Sequence, residues 1–401
     1  MKYLVVLCDG MADVAVSELN NCTPMEVAKK PYMDALAKSA KIGMCKTVAD
    51  GLKPGSDVAN LSVLGYDAKT CYSGRSPLEA ANLGIDLNDN QVALRCNLVT
   101  LSDAENYEDR IMLDYCGGDI STEEADELIK ALESHFGNDI YKFYTGVQYR
   151  HCLVVNNGSL NLDLTPPHDI SDKVIGEYLS KVDNAKQFIE IMKESVSVLE
   201  NHPVNIERKS KGLKPANSAW FWGEGKRPNL EIFKDKFGIS GSVVSAVDLI
   251  RGIGRLSGMN VAKVDNVTGY IDTNFDGKAQ AAINEFKNGA DFVFVHLEAP
   301  DECGHRGEVE NKVKAIEMID EKVLQPIAEY LKSEKEHYKI LIMPDHPTPL
   351  NIKTHTSDPV PFMIFDSEKE YNGNKFTEEN AKSSGFFISD SRELMPMFIN
   401  D

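Results

Sequence analysis

No C-x-x-C pair occurs in this chain, although it holds eight cysteines, at 8, 22, 45, 71, 96, 116, 152 and 303. That absence removes the usual thiolate zinc spacing and any sign of a disulfide frame. Free thiols in a reducing compartment are expected. No run reaches the ~18 apolar residues of a membrane span. The opening MKYLVVLCDG has only a short apolar run, broken by Asp9, which is unlike a secretory leader. A cytoplasmic location is expected. Positive charge is scarce: 43 Lys and Arg face 62 Asp and Glu, for a formal net charge of −19. Such a field disfavours nucleic acid and anionic membrane, so neither is expected as a partner. An anionic substrate must be held by local cations or metal against that field. Internal repeats and low-complexity tracts are lacking as well.

What is present reads as an α/β chain, 401 residues long. Tyr3 to Cys8 is an unalternated apolar run, the pattern of a strand buried in a parallel sheet, and Asp9 sits at its carboxyl end. Two similar runs follow far away. DFVFVHLEAPDECGH (291–305) leads into Asp301 and His305, and YKILIMPDHPTPL (338–350) leads into Asp345 and His346. Helices are expected over 276–288 and over 309–333, the second kinked by Pro326. The middle reads as α+β. It has a strand QVALRCNLVTL (91–101), a helix opened by a Ser121–Glu124 capping box and ending near Gly137, a strand HCLVV (151–155), a helix over 171–199 and a strand SAWFWG (218–223). The expected organisation is a discontinuous core, 1–74 with 239–401, interrupted by a smaller α+β domain over 75–238.

In open α/β sheets, ligands gather at the carboxyl ends of the strands. Three strand ends here carry Asp9, Asp301 with His305, and Asp345 with His346; His355 follows in KTHTSDPVP. Each has a plainer reading, because an Asp after a strand often only caps a helix. Convergence of all three on capping is much less expected. Carboxylate and imidazole without thiolate suit Mn²⁺, Zn²⁺ or a similar ion. Six ligands exceed what one catalytic ion with an open position needs, and match two ions around a reacting oxygen. Ser56, in GLKPGSDVANLSVLGYD (51–67), stands at a predicted helix N-terminus. Alone it reads as a cap. Beside metal it becomes a candidate nucleophile, with the helix dipole favouring an anion there.

The motifs LCDGMAD, PGSDVANLSVLGYD, YSGRSPLEAANLGI, HLEAPDECGHRG and MPDHPTP…THTSDPVPF resemble those of archaeal-type cofactor-independent phosphoglycerate mutases, members of the alkaline phosphatase superfamily. The similarity runs from residue 3 to about 363. It implies an alkaline-phosphatase-like core sheet flanked by helices and an inserted substrate-transferring domain hinged to it. It also implies a phosphorylated serine at Ser56, one metal on Asp301, His305 and His355, and another on Asp9, Ser56, Asp345 and His346. The implied activity is interconversion of 3-phosphoglycerate and 2-phosphoglycerate in glycolysis and gluconeogenesis. The implied cofactors are two divalent ions, Mn²⁺ or Zn²⁺ before Mg²⁺ or Co²⁺, and no bisphosphoglycerate.

A substrate bearing phosphate and carboxylate needs cations. Candidates in the insert are Arg75, Arg95, Arg150, His151, Lys226 and Arg227, with Arg95 and Arg150 favoured because each abuts an apolar strand. Arg208, Lys209, Lys211 and Lys214 read as a solvated loop, Lys278 as a helix start facing either the site or solvent, and His296 as a satisfied core residue. GIGRLSG (252–258) reads as a helix-end turn and not a dinucleotide loop. Three alternatives stay open: a homoserine kinase-like phosphotransferase, a metal-dependent phosphatase, and a non-catalytic metal-stabilised scaffold. The kinase reading needs a nucleotide site, and no G-x-x-x-x-G-K-[ST] loop is present.

Overall fold

The computed structural model describes residues 1–400. The chain divides into two compact units, Met1–Tyr72 with Asn229–Asp401, and Ser73–Pro228. In the first, an eight-stranded sheet runs in the order Phe387–Ile388, Lys41–Cys45, Val360–Asp366, Tyr338–Met343, Lys2–Cys8, Phe292–Leu297, Gly241–Val244, Asn260–Val261. Lys2–Cys8 is central and parallel to both neighbours, with Leu7 level with His296 on one side and Met343 on the other. That register brings the carboxyl ends of three strands to one edge. Val360–Asp366 is antiparallel to both strands beside it, so the sheet is mixed. Leu4, Val6, Val295, Ile340 and Ile342 pack with Ala282, Phe286, Ile316 and Ile327 from the helices, which is why the central strands lack polar alternation.

The stretch expected as one kinked helix is three segments: Val309–Ile319, a π-helical turn Asp320–Leu324, and Gln325–Glu334. Pro326 has no N–H and its ring crowds the carbonyl four residues back; the wider turn just before it absorbs that conflict. Within the turn, Asp320 accepts the free N–H groups of Tyr32 (3.0 Å) and Met33 (2.7 Å), which open the Pro31–Ala37 helix. GIGRLSG carries the helix end as expected, at Ser257 and Gly258, but its first five residues are still helical. The helix Asp248–Leu256 follows the strand Gly241–Val244, and Gly252 and Gly254 lie buried inside it.

Glu378 gives this unit a pH response. Its carboxylate accepts from Asp13 N (3.2 Å) and from the Thr23 hydroxyl (2.7 Å). Burial raises its pKa from an ordinary 4.5 to about 7. Between those values the folded chain keeps a proton that the unfolded chain has released. The stabilisation is therefore complete below about 4.5, falls as pH rises, and is gone above about 7. Glu378→Gln should flatten this part of the curve and raise stability at pH ~8 by on the order of 1–2 kcal/mol, the side chain being partly exposed. Urea melts at pH ~5 and ~8 check it; equal pH slopes in both proteins would contradict it.

The second unit holds a five-stranded antiparallel sheet of Met112–Asp114, Gln91–Leu101, Arg150–Asn156, Tyr141–Val147 and Ser218–Lys226. Leu128 and Leu132 of the Thr122–Phe136 helix and Phe188 and Met192 of the Lys186–Leu199 helix share a core with Leu94, Leu98 and Phe221. The Ser121–Glu124 capping box opens the first of these helices. The helix expected over 171–199 begins only at Lys186. Upstream, Ile175 N bonds to Arg110 O (2.9 Å) and Lys173 O accepts from Met112 N (3.0 Å), so the backbone pairs with a distant segment instead of its own next turn. Arg208 also corrects the reading. It is not in a solvated loop but buried, paired with Glu124 (2.6 Å) and donating to the carbonyls of Lys214, Gly117 and Gly118.

Candidate active site

All seven residues singled out for metal and nucleophile meet at one edge of the first unit's sheet. Asp9 follows the central strand and is buried. Gly10 then turns with φ +62°, and a Cβ there would meet Asp301 Cα at 2.6 Å. Only glycine lets Asp301 pack this close to Asp9. Asp301 and His305 lie one turn apart on the Ala299–Arg306 helix, and their side chains meet at 3.3 Å. Asp345 and His346 follow the Tyr338–Met343 strand and are fully buried.

His355 reaches in from the following loop. Its Nε2 is 3.3 Å from Asp301 Oδ1 and 2.8 Å from His305 Nε2, and its ring lies 3.9 Å from that of His346. His305 Nδ1 donates to Lys353 O (3.0 Å), which turns Nε2 toward Asp301 and His355. Ser56 opens the Ser56–Val63 helix, and its Oγ lies 3.3 Å from Asp9 Oδ2 and 3.2 Å from His346 Nε2.

Two groups have ligand atoms mutually within 4.8 Å: Asp9, Asp345 and His346, and Asp301, His346 and His355. His346 belongs to both. The electrostatics fit cations. Burial, then Asp345, Asp301 and Glu298, pushes the Asp9 carboxyl well above the usual carboxylate range. Asp9 Oδ1 is buried with no hydrogen-bond partner among the described residues. Three crowded carboxylates and an orphaned oxygen are what a divalent ion would relieve. Asp301 goes the other way. Burial would raise it, but hydrogen bonds from His305 and His355 hold it well below the usual range.

Residues not singled out from the sequence complete the surroundings. Asn60, buried and one helical turn after Ser56, donates to Ser56 O (2.8 Å) and Asp345 Oδ2 (2.9 Å). Its i+4 spacing from Ser56 was the available signal. His296 is a satisfied core residue as expected, but its partner is Asp9 Oδ2 (3.0 Å), with Ser245 Oγ on the other nitrogen (3.3 Å). Lys278 does not face solvent. It is fully buried, donates to His296 O (3.3 Å), and is drawn down to about 8 by burial.

In the second unit, three candidate cations surround one carboxylate. Glu79 lies 2.7 Å from Arg75 and 3.1 Å from Arg95. Burial would raise Glu79, but Arg95, Arg75 and Arg150 outweigh it and hold the carboxyl below its ordinary value. Arg95 is buried with its guanidinium 4.5 Å over the Trp222 ring, and Arg150 stacks on Tyr149 at 5.5 Å. Three guanidiniums against one carboxylate leave an excess of positive charge in a strongly acidic protein. His151, Lys226 and Arg227 stand apart from this cluster. His151 is buried, accepts the Gly146 N–H (3.0 Å) and is pulled by burial down to about 3; Lys226 is exposed; Arg227 pairs with Asp86 (2.6 Å).

The family model described as 2,3-bisphosphoglycerate-independent phosphoglycerate mutase matches residues 37–205. A probable 2,3-bisphosphoglycerate-independent phosphoglycerate mutase of Geobacter sulfurreducens is 48% identical over 402 aligned residues, covering 100% of both chains. The Methanosarcina barkeri enzyme of that name is 45% identical, covering 100% of this chain and 99% of its own. Among solved structures, a Pyrococcus horikoshii protein superposes with a TM-score of 0.82 at 29% identity, covering 100% of this chain and 96% of the other. The cofactor-independent phosphoglycerate mutase of Thermoplasma acidophilum follows at 0.66 and 26%, covering 99% of each. With similarity of this degree along its whole length, the chain belongs to the 2,3-bisphosphoglycerate-independent phosphoglycerate mutase family.

Proposed function

We propose that this protein interconverts 3-phosphoglycerate and 2-phosphoglycerate, with Ser56 as the phosphoryl carrier, as a step of glycolysis and gluconeogenesis. The observation that carries the reading is the Ser56 hydroxyl within 3.3 Å of Asp9 and His346, at a helix N-terminus, inside a ring of six metal-type ligands. Two divalent ions, Mn²⁺ or Zn²⁺, would be held by Asp9, Ser56, Asp345 and His346 and by Asp301, His305 and His355. Bound there, they supply Lewis-acid polarisation of phosphoryl oxygens and lower the pKa of a bound hydroxyl.

The chain's own part follows from its geometry. Ser56 Oγ forms a bond to phosphorus as the bond from phosphorus to the 3-oxygen of glycerate breaks. Ser56 loses one proton and the departing oxygen gains one. The reverse step at the 2-oxygen regenerates the hydroxyl. The positive end of the Ser56–Val63 helix dipole favours the phosphoryl charge. Glycerate has to stay bound while it turns, and we assign its carboxylate to Arg75, Arg95 and Arg150, whose planar forks suit that group.

The test is one preparation of Mn²⁺-loaded protein given 3-phosphoglycerate in one tube and homoserine with ATP in another. 2-Phosphoglycerate formed without added bisphosphoglycerate is expected. Phosphohomoserine, or inorganic phosphate as the sole product, would overturn the reading. Arg150→Met should raise KM for 3-phosphoglycerate about 10–100-fold, the worth of one charge-assisted contact. Metal uptake should stay unchanged, because the ligands lie in the other unit. An unaltered KM would remove Arg150 from the substrate site.

A further inference from the structure

Thr348 stands between the two proposed ion sites. It is fully buried, and its hydroxyl donates to Asp301 Oδ1. The same oxygen lies 3.3 Å from His346 Nδ1. A hydroxyl has one proton to give. With that proton on Asp301, the contact to His346 requires the imidazole Nδ1–H to donate and the threonine oxygen to accept. His346 Nε2 then keeps its lone pair, and this is the atom 3.2 Å from Ser56 Oγ, 3.5 Å from Asp9 Oδ1 and 3.4 Å from Asp345 Oδ2.

The backbone around Thr348 is pinned. Its carbonyl accepts from Lys312 Nζ (2.8 Å) and its N–H donates to Ala12 O (3.3 Å). Pro347 and Pro349 flank it, each fixing φ. On the helix that carries Asp301 and His305, Gly304 has no Cβ, and one there would sit 2.6 Å from Thr348 O. The loop can press this close only because that position is glycine.

The geometry points to Thr348 as a positioning residue: one hydroxyl fixes the His346 tautomer and orients the Asp301 carboxylate, so each proposed ion site depends on it. This rests on the two-ion reading above. Removing such an outer partner costs about 10–100-fold in metal affinity. The test compares wild type with Thr348→Val, which keeps the shape and loses the hydroxyl, and Thr348→Ser, which restores it. Mn²⁺ uptake is measured by equilibrium dialysis. The His346 tautomer is read by ¹⁵N NMR in metal-free and Zn²⁺-loaded protein.

Wild type should bind two ions and carry its proton on Nδ1 of His346. Thr348→Val should bind at least one ion about 10–100-fold more weakly, and Thr348→Ser should recover uptake. A purely structural role would lower the melting temperature of Thr348→Val and leave ion uptake by the folded protein intact; that result overturns the assignment. So does Thr348→Ser binding as weakly as Thr348→Val, or a wild-type His346 protonated on Nε2. Wild type taking up fewer than two ions sinks the two-ion reading, while the tautomer still decides the role of Thr348. The tautomer needs no variant, so a Thr348→Val chain that does not fold leaves the decision intact.

Discussion

Ser56→Ala should lower mutase turnover by on the order of 10⁴–10⁶-fold, the loss seen when a nucleophile acting as one unit with its site is removed. The change should leave the fold alone. Ser56 is the first residue of its helix, Gly55 precedes it in extended backbone, and no side-chain cap bond is lost. Alanine is a good helix former. The helix stays tied to the site through Asn60, which still donates to Asp345 and to the backbone carbonyl at position 56. Two further readouts separate chemistry from architecture. Incubation with 3-phosphoglycerate should leave a phosphorylated residue in wild type and none in Ser56→Ala, and uptake of the ion assigned to Asp301, His305 and His355 should persist in both. Residual turnover within tenfold of wild type would remove Ser56 from the mechanism.

Lys312→Met is expected to give the largest loss of stability, about 3–5 kcal/mol. Lys312 and Asp13 form an ion pair at 2.7 Å with both side chains fully buried. Burial lowers the Lys312 pKa, and Asp13 pulls it back up. Methionine fills similar space but leaves Asp13 buried and charged, with only the N–H groups of Val14 (2.8 Å) and Leu350 (3.2 Å) left to it. Adding Asp13→Asn removes that charge and keeps an acceptor, so the double variant should recover a good part of the loss. Urea unfolding of the four proteins gives the coupling directly. A single-variant cost under about 1 kcal/mol would place the pair among ordinary surface bridges.

The parts of this site legible in the sequence are those where chemistry follows a strand end. Asp9, Asp301, Asp345 and His346 each come directly after, or within a few residues of, an apolar run, and the central strand's register lines those runs up. Ser56 was legible only because it shares a chain with them. Thr348 and His296 were not legible as neighbours of the site, and Asn60 only through its i+4 spacing from Ser56. Their meaning lies in contacts such as Asn60–Asp345, which spans 285 residues and which no local pattern encodes. Arg208 shows the opposite error: beside other polar residues it read as solvated, and tertiary carbonyls and a carboxylate satisfy it within the interior. Lys278, left open between the site and solvent, is decided by its burial and its bond to His296 O. The segment before Lys186 failed for a related reason: distant backbone partners won over a helix-compatible run.

The π-helical turn at Asp320–Leu324 changes how this stretch tolerates length variation. A turn of that kind holds one residue more than the α-helical turn it replaces. Deleting one position there other than Asp320 would restore ordinary winding and leave the following segment facing as it does now, with Ile327 and Leu331 still toward the core. The same deletion in the regular turns on either side would swing everything downstream by about 100° about the axis. Asp320 itself is not dispensable, because its carboxylate receives the N–H groups of Met33 and Tyr32. The wider turn therefore marks a place where this stretch can lose one residue, while the windings that flank it hold the reading frame of the helix.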